Sequence, residues 1–99
     1  MFAKVTSLQV KPGKIDDFIK IYNETQKSVN QQGQGFQSAR LLTDTSTNRV
    51  VTVTIWATES DAKASVTPST TENENLRVRF EEVVEGPATR EYYEVSSDY

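Results

Sequence analysis

The stretch from Gly35 to Trp56, GFQSARLLTDTSTNRVVTVTIW, constrains this chain more than any other. Two alternating apolar runs flank a polar break of Asp44, Thr45, Ser46, Thr47 and Asn48, the pattern of two strands joined by a tight, solvated turn. The second run, Val50 to Trp56, sets Val51, Val53 and Ile55 on one face and Val50, Thr52, Thr54 and Trp56 on the other. A strand that can be buried on both faces belongs in the centre of a sheet. The rest of the chain must wrap around this hairpin.

The flanking segments supply the wrapping. Phe2 to Val10 reads as a first strand, with Phe2, Leu8 and Val10 on one side and Ala3 and Val5 on the other, ended by Lys11-Pro12-Gly13. From Lys14 the period becomes helical: Ile15, Phe18, Ile19, Tyr22 and Val29 form one stripe, with Asp16, Asp17, Lys20, Glu24 and Lys27 outside it. Gln31 to Gly35 stop this helix. After Trp56, Thr58 or Ser60 can cap a short second helix.

The segment from Thr67 to Asn75, TPSTTENEN, reads as an exposed loop and as the most mobile part of the chain. Leu76 to Val84 fits a strand through LRVRF and a helix through Leu76, Phe80, Val83 and Val84, and the helix is preferred. Gly86-Pro87 breaks the chain, Ala88 to Val95 forms the last strand, and a polar tail begins at about residue 96. The order β-α-β-β-α-β predicts an α+β, ferredoxin-like fold with one four-stranded antiparallel sheet and both helices on one face. The other face then calls for a second copy, so a homodimer is expected.

Composition narrows the function. The chain has 99 residues, room for one domain spanning 1–99, and an apolar fraction of 35% that favours burial against a partner. A net charge of -3 argues against nucleic acid and anionic membranes. There is no cysteine, which removes disulfides and thiolate chemistry, and no histidine, which removes the commonest general base and metal ligand. Asp16-Asp17 and Glu81-Glu82 do not make a metal site, because neighbours on a helix diverge by about 100°. Gly33-Gln34-Gly35 follows a helix and opens a strand, the reverse of a phosphate-binding turn. With no leader-like or membrane-length apolar run, a cytoplasmic protein is expected.

Several short motifs resemble the antibiotic biosynthesis monooxygenase domain of the dimeric α/β barrel superfamily, over about Phe2 to Val95. They are Val10-Lys11-Pro12-Gly13-Lys14, the helix carrying Phe18, Gly35-Phe36 with Ser38, Arg40 and Leu41, the Asp44 and Asn48 turn, and Val53-x-Ile55-Trp56-x-x-Glu59-Ser60. The resemblance implies a homodimer with a ligand pocket in each subunit between helices and sheet, near the tryptophan that ends the third strand, here Trp56. Members with an assigned activity include cofactor-independent oxygenases of aromatic polyketides, enzymes acting on quinones or small signalling molecules, and haem-degrading enzymes. The haem-degrading branch pairs that tryptophan with a first-strand asparagine and a helical histidine. This chain has Ser7 in the first strand and no histidine, so haem degradation is not expected and no cofactor is called for.

Trp56 can stack on a flat ligand and donate one hydrogen bond, or simply close one end of the core. Phe18 and Tyr22 form either core or pocket wall, with the Tyr22 hydroxyl as an orienting donor or proton relay. Arg40 can anchor a ligand oxygen, or pair with Glu91 or Glu94 on the sheet surface or across a dimer. Tyr92 and Tyr93 should face opposite sides of the last strand. The expected function is a cofactor-independent monooxygenase for a small apolar, aromatic or quinone-like molecule, with Trp56 and Tyr22 catalytic and Phe18, Arg40, Val53 and Phe80 binding the ligand. The alternative is a non-catalytic ligand-binding or structural, stress-related homodimer. The space beside Trp56 discriminates between them.

Overall fold

A computed structural model of the chain describes residues 1–67, 71 and 73–99. Pro68, Ser69, Thr70 and Glu72, at the centre of the expected exposed loop, lie outside the described residues, and with them the expectation of mobility. The ends of that span depart from a loop, since Thr67 is buried and Glu74 already begins a helix.

Strands β1 (Phe2–Val10), β2 (Phe36–Asp44), β3 (Arg49–Trp56) and β4 (Val84–Glu94) form one antiparallel sheet in the order β2-β3-β1-β4. The α+β, ferredoxin-like order read from the sequence holds, and β3 is central. The β2–β3 turn is tied locally: the Asp44 carboxylate accepts from the Ser46 N–H at 2.9 Å and hydroxyl at 2.6 Å. Asn48 takes the left-handed conformation at φ 58°, which asparagine tolerates. Gln9 donates its amide to the Thr47 carbonyl at 2.7 Å, stitching that turn to β1.

The first helical segment is α1 (Ile15–Ile21), a π-helical turn (Tyr22–Gln26) and α2 (Lys27–Gln31). The π turn corrects the expected stripe. An unbroken α-helix would bring Gln26 and then Val29 inward after Tyr22, but the wider turn inserts an extra residue, so Asn30 is buried and Val29 is only half-buried. Thr58 caps α3 (Glu59–Ala64) by accepting from the Asp61 N–H at 3.1 Å. Asn73 caps α4 (Glu74–Glu81) in the same way, at 3.1 Å from the Leu76 N–H. Residues 76 to 81 therefore take the helical alternative.

Gly86-Pro87 does not break the chain as expected. β4 begins at Val84 and runs through both residues, with a register shift opposite the Ser7–Gln9 stretch of β1. A bulge absorbs them: Gly86 sits at φ +70°, and proline is tolerated because β4 is an edge strand.

All helices lie on one face of the sheet. The main core there gathers Leu8, Val10, Ile15, Phe18, Ile21, Tyr22, Val50, Leu76, Phe80 and Val83. The Phe18 ring meets Phe80 edge-on at 5.3 Å and stacks on Tyr22 at 6.4 Å. The opposite face carries Ala3, Val5, Val51, Val53 and Ile55 in paired register on β1 and β3, with Leu42 and Tyr93 exposed on the flanking strands. No helix covers it. Tyr92 and Tyr93 do point to opposite faces: Tyr93 donates to the Glu91 carboxylate at 2.6 Å, and Tyr92 lies under the Lys63 ammonium. No helix among the described residues is long and apolar enough to cross a membrane.

Candidate functional site

Strand parity places two polar side chains in the layer between sheet and helices. Lys4 and Thr6 share the side of β1 that carries Leu8 and Val10, and both are buried. Lys4 is 3% exposed, and its ammonium donates to the Ser65 carbonyl at 3.1 Å and hydroxyl at 2.8 Å. No carboxylate forms an ion pair with it among the described residues. Burial, reinforced by the Arg90 guanidinium nearby, lowers its pKa from 10.5 to about 8.

The helical segment faces this lysine with amides rather than alkyl groups: Gln26 lies on the ordinary stripe four residues after Tyr22, and the π turn brings Asn30 inward in place of Val29. Gln26 donates to Asn30 Oδ1 at 3.0 Å and to the Val66 carbonyl at 2.9 Å, and Asn30 donates to the Tyr22 hydroxyl at 3.2 Å. Gln26 Oε1 is buried with no hydrogen-bond partner among the described residues. Burial raises the Tyr22 pKa, partly offset by the Asn30 hydrogen bond. A cavity of about 20 Å³, room for one water, is walled by Lys4, Thr6, Tyr22, Gln26, Asn30 and their neighbours.

Beside it, between α4 and the β4 bulge, lies a groove of about 230 Å³. Its lining is mainly apolar, from Leu8, Phe80, Val84, Pro87 and Ala88, and Arg77 and Glu81 of α4 border it. These two form an exposed ion pair at 3.6 Å. Thr6, Leu8 and Thr67 wall both the groove and the polar cavity, so the two spaces are neighbours.

The structure brings together only part of the expected site. Phe18, Tyr22 and Phe80 converge as one aromatic row on the two cavities. Trp56 stands apart. It is 1% exposed, its N–H donates to the Thr54 hydroxyl at 2.7 Å, and it packs edge-on against Phe36 at 5.5 Å. A cavity of about 170 Å³ lies beside it, lined by Gly33, Gln34, Asp61 and Ser65 among others. Trp56 and Tyr22 border different spaces, the 170 Å³ cavity and the small polar one, which share Ser65 and Val66 as walls.

Arg40 and Val53 are paired across β2 and β3 and belong to the uncovered face. The sheet separates them from the helix-side cavities, so they cannot line a pocket there. Within one chain Arg40 also cannot reach Glu91, which lies on the opposite edge strand, or Glu94, whose parity turns it to the helix side.

Lys4, Thr6, Gln26 and Asn30 were not singled out from the sequence. For Lys4 and Thr6 the signal existed, since they alternate in phase with Leu8 and Val10. For Gln26 it existed too, four residues after Tyr22 on the helical stripe, whereas for Asn30 it did not, because nothing in YNETQ announces a π turn.

The model of the antibiotic biosynthesis monooxygenase family matches residues 1–70. Among solved structures, the chain is similar to a proposed antibiotic biosynthesis monooxygenase from Bordetella bronchiseptica, at 15% identity and TM-score 0.77, covering 97% of each chain. A second proposed member from Caulobacter crescentus superimposes at 17% identity and TM-score 0.73, covering 97% of this chain and 90% of that one. A protein of unknown function from Nitrosomonas europaea does so at 14% identity and TM-score 0.76, covering 99% and 91%. At such identities these structures speak for the fold alone. No curated protein matches in sequence. The chain belongs to the antibiotic biosynthesis monooxygenase family.

Proposed function

We propose that this protein binds one small, largely apolar, aromatic or quinone-like molecule in the groove over Leu8 and Phe80, and oxygenates it without a resident cofactor. The observation that carries this reading is the groove itself: an apolar floor of suitable size with a polar inner end, between the helices and the sheet. An engineered apolar cavity of about 150 Å³ accepts benzene, so a groove of about 230 Å³ open to solvent suits a flat system of two or three fused rings.

In this reading an electron-rich substrate reduces oxygen itself. A CH₂ between two aromatic rings becomes a carbonyl, one oxygen atom enters the product, and the other leaves as water with the two hydrogens. Leu8 and Phe80 hold the ring, Phe18 backs Phe80 from the core, and the Tyr22 hydroxyl at the adjoining polar cavity donates to a substrate oxygen. Trp56 closes the far end of the helix-side layer. Arg40 and Val53 serve the uncovered face, where a second copy completes a dimeric barrel and Arg40 of one subunit meets Glu91 of the other. A cytoplasmic location belongs to the same reading.

Oxygen uptake with anthrone, followed alongside Trp56 fluorescence, tests it. Saturable quenching with oxygen consumption is the expected result, and neither response to anthrone or naphthoquinones would sink the ligand reading. Sedimentation tests the dimer separately, where a stable monomer at micromolar concentration would remove it. One observation favours a non-catalytic binder as the second reading: Lys4 is bonded to Ser65, and Gln26 to Asn30 and the Val66 carbonyl, so these polar groups are held mainly by the protein itself. Quenching without turnover would decide for it.

A further inference from the structure

Resting on the groove as the ligand site, we propose that Lys4 anchors an anionic oxygen of the ligand. The ligand class is then an aromatic molecule bearing an ionised enol, phenol or carboxylate, rather than a neutral quinone.

The first argument is cost. Removing an ammonium from water without a carboxylate partner is expensive even when hydrogen bonds remain. Its β1 neighbours on the same face, Leu8 and Val10, show that apolar side chains fit this layer well. An anionic ligand oxygen arriving at this position would return part of that cost.

Geometry is the second argument. Lys4 commits its bonds to the carbonyl and hydroxyl of Ser65, which leaves one of its three protons for the cavity. The Tyr22 hydroxyl accepts from Asn30 and so keeps its own proton to give. Thr6 stands at the wall shared with the groove. Gln26 Oε1, buried and without a donor among the described residues, is an acceptor, so it calls for a water or hydroxyl proton beside the anion rather than for the anion itself. A ring lying on Leu8 and Phe80 therefore presents a substituent past Thr6 to a cation and a hydroxyl donor.

Charge is the third. Arg77 and Glu81 neutralise each other beside the groove, so selection for an anion falls to the inner end. Arg90, one strand away from Lys4, adds positive potential there.

The test uses two compounds of the same shape on the full chain at pH 7: 2-hydroxy-1,4-naphthoquinone, an anion at that pH, and 2-methyl-1,4-naphthoquinone, which is neutral. Calorimetric affinities are compared for the wild type, Lys4→Met and Lys4→Gln. The wild type should hold the anion about tenfold or more tighter than its neutral twin. Both variants should lose that preference while keeping the neutral compound's affinity. Equal wild-type affinities, or a preference that survives in either variant, would overturn the anchor and leave the groove as a ligand site. Binding of neither compound to the wild type would overturn both.

Discussion

The layer between helices and sheet has two halves that obey different rules. Around Phe18, aromatic and aliphatic side chains from β1, β3, α1 and α4 pack as an ordinary core. Around Lys4, the same layer is filled with an ammonium, amides and hydroxyls. The first half supplies stability through apolar area removed from water; the second spends part of it, because each polar group must be satisfied merely to break even. The contrast separates what holds the fold together from what the fold is for.

The largest effect should come from removing the apolar half. Phe18→Ala is expected to cost roughly 3–5 kcal/mol in urea denaturation, since the ring is 1% exposed and touches both Tyr22 and Phe80. A loss below about 1 kcal/mol would mean that the two halves do not differ as described.

Lys4→Met should act with the opposite sign and stabilise the protein by about 1–2 kcal/mol, less than the full equivalent of a pKa lowered from 10.5 to about 8 because the adjoining cavity still lets water reach the ammonium. Between those pH values the unfolded chain binds the lysine proton and the folded chain has released it. Wild-type stability therefore rises as pH increases from about 8 toward 10, and the variant lacks that rise. Tyr22, with its pKa raised above 10.0, opposes the trend at higher pH. Denaturation midpoints across this window check the sign, and a wild type that weakens from pH 8 to 10 would contradict it.

How legible each half was follows from the same contrast. The hairpin, the four strands, the Thr58 cap and the Phe18–Tyr22–Phe80 row could be read because apolar residues at period 2 or 3.6 have one economical arrangement. The polar half could not, because a lysine or glutamine defaults to the surface in any such reading. The π turn then exchanged Val29 for Asn30 as the inward residue without any mark in the sequence. Gly86-Pro87 misled for a related reason: both residues usually end strands, and only the position of β4 at the sheet edge lets a bulge absorb them.

Smaller effects sharpen the comparison at the Trp56 end. A Cβ at Gly33 would sit 2.8 Å from two ring atoms of Trp56, so Gly33→Ala should cost roughly 1–3 kcal/mol and alter the near-ultraviolet dichroism of the indole. An unchanged spectrum would mean that the loop, not the ring, gives way. The smallest effect is expected from Arg79→Ala. It removes the 2.8 Å ion pair between α4 and Glu24 on the π turn, but both side chains are exposed to water. The thermal midpoint should stay within experimental scatter, and a clear drop would show that this surface pair positions the helices over the groove.

The β4 bulge also bears on how copies of this chain can meet. An outer strand with regular hydrogen-bonding groups along its length invites another strand beside it and, repeated, a fibril. Here that strand is interrupted by Gly86 and by Pro87, which has no N–H to offer, and it carries Glu85, Arg90, Glu91 and Glu94. Strand addition along its full length is blocked. Growth edge to edge through β4 is thereby disfavoured, whereas a contact made through the uncovered face of the sheet would use no strand edge.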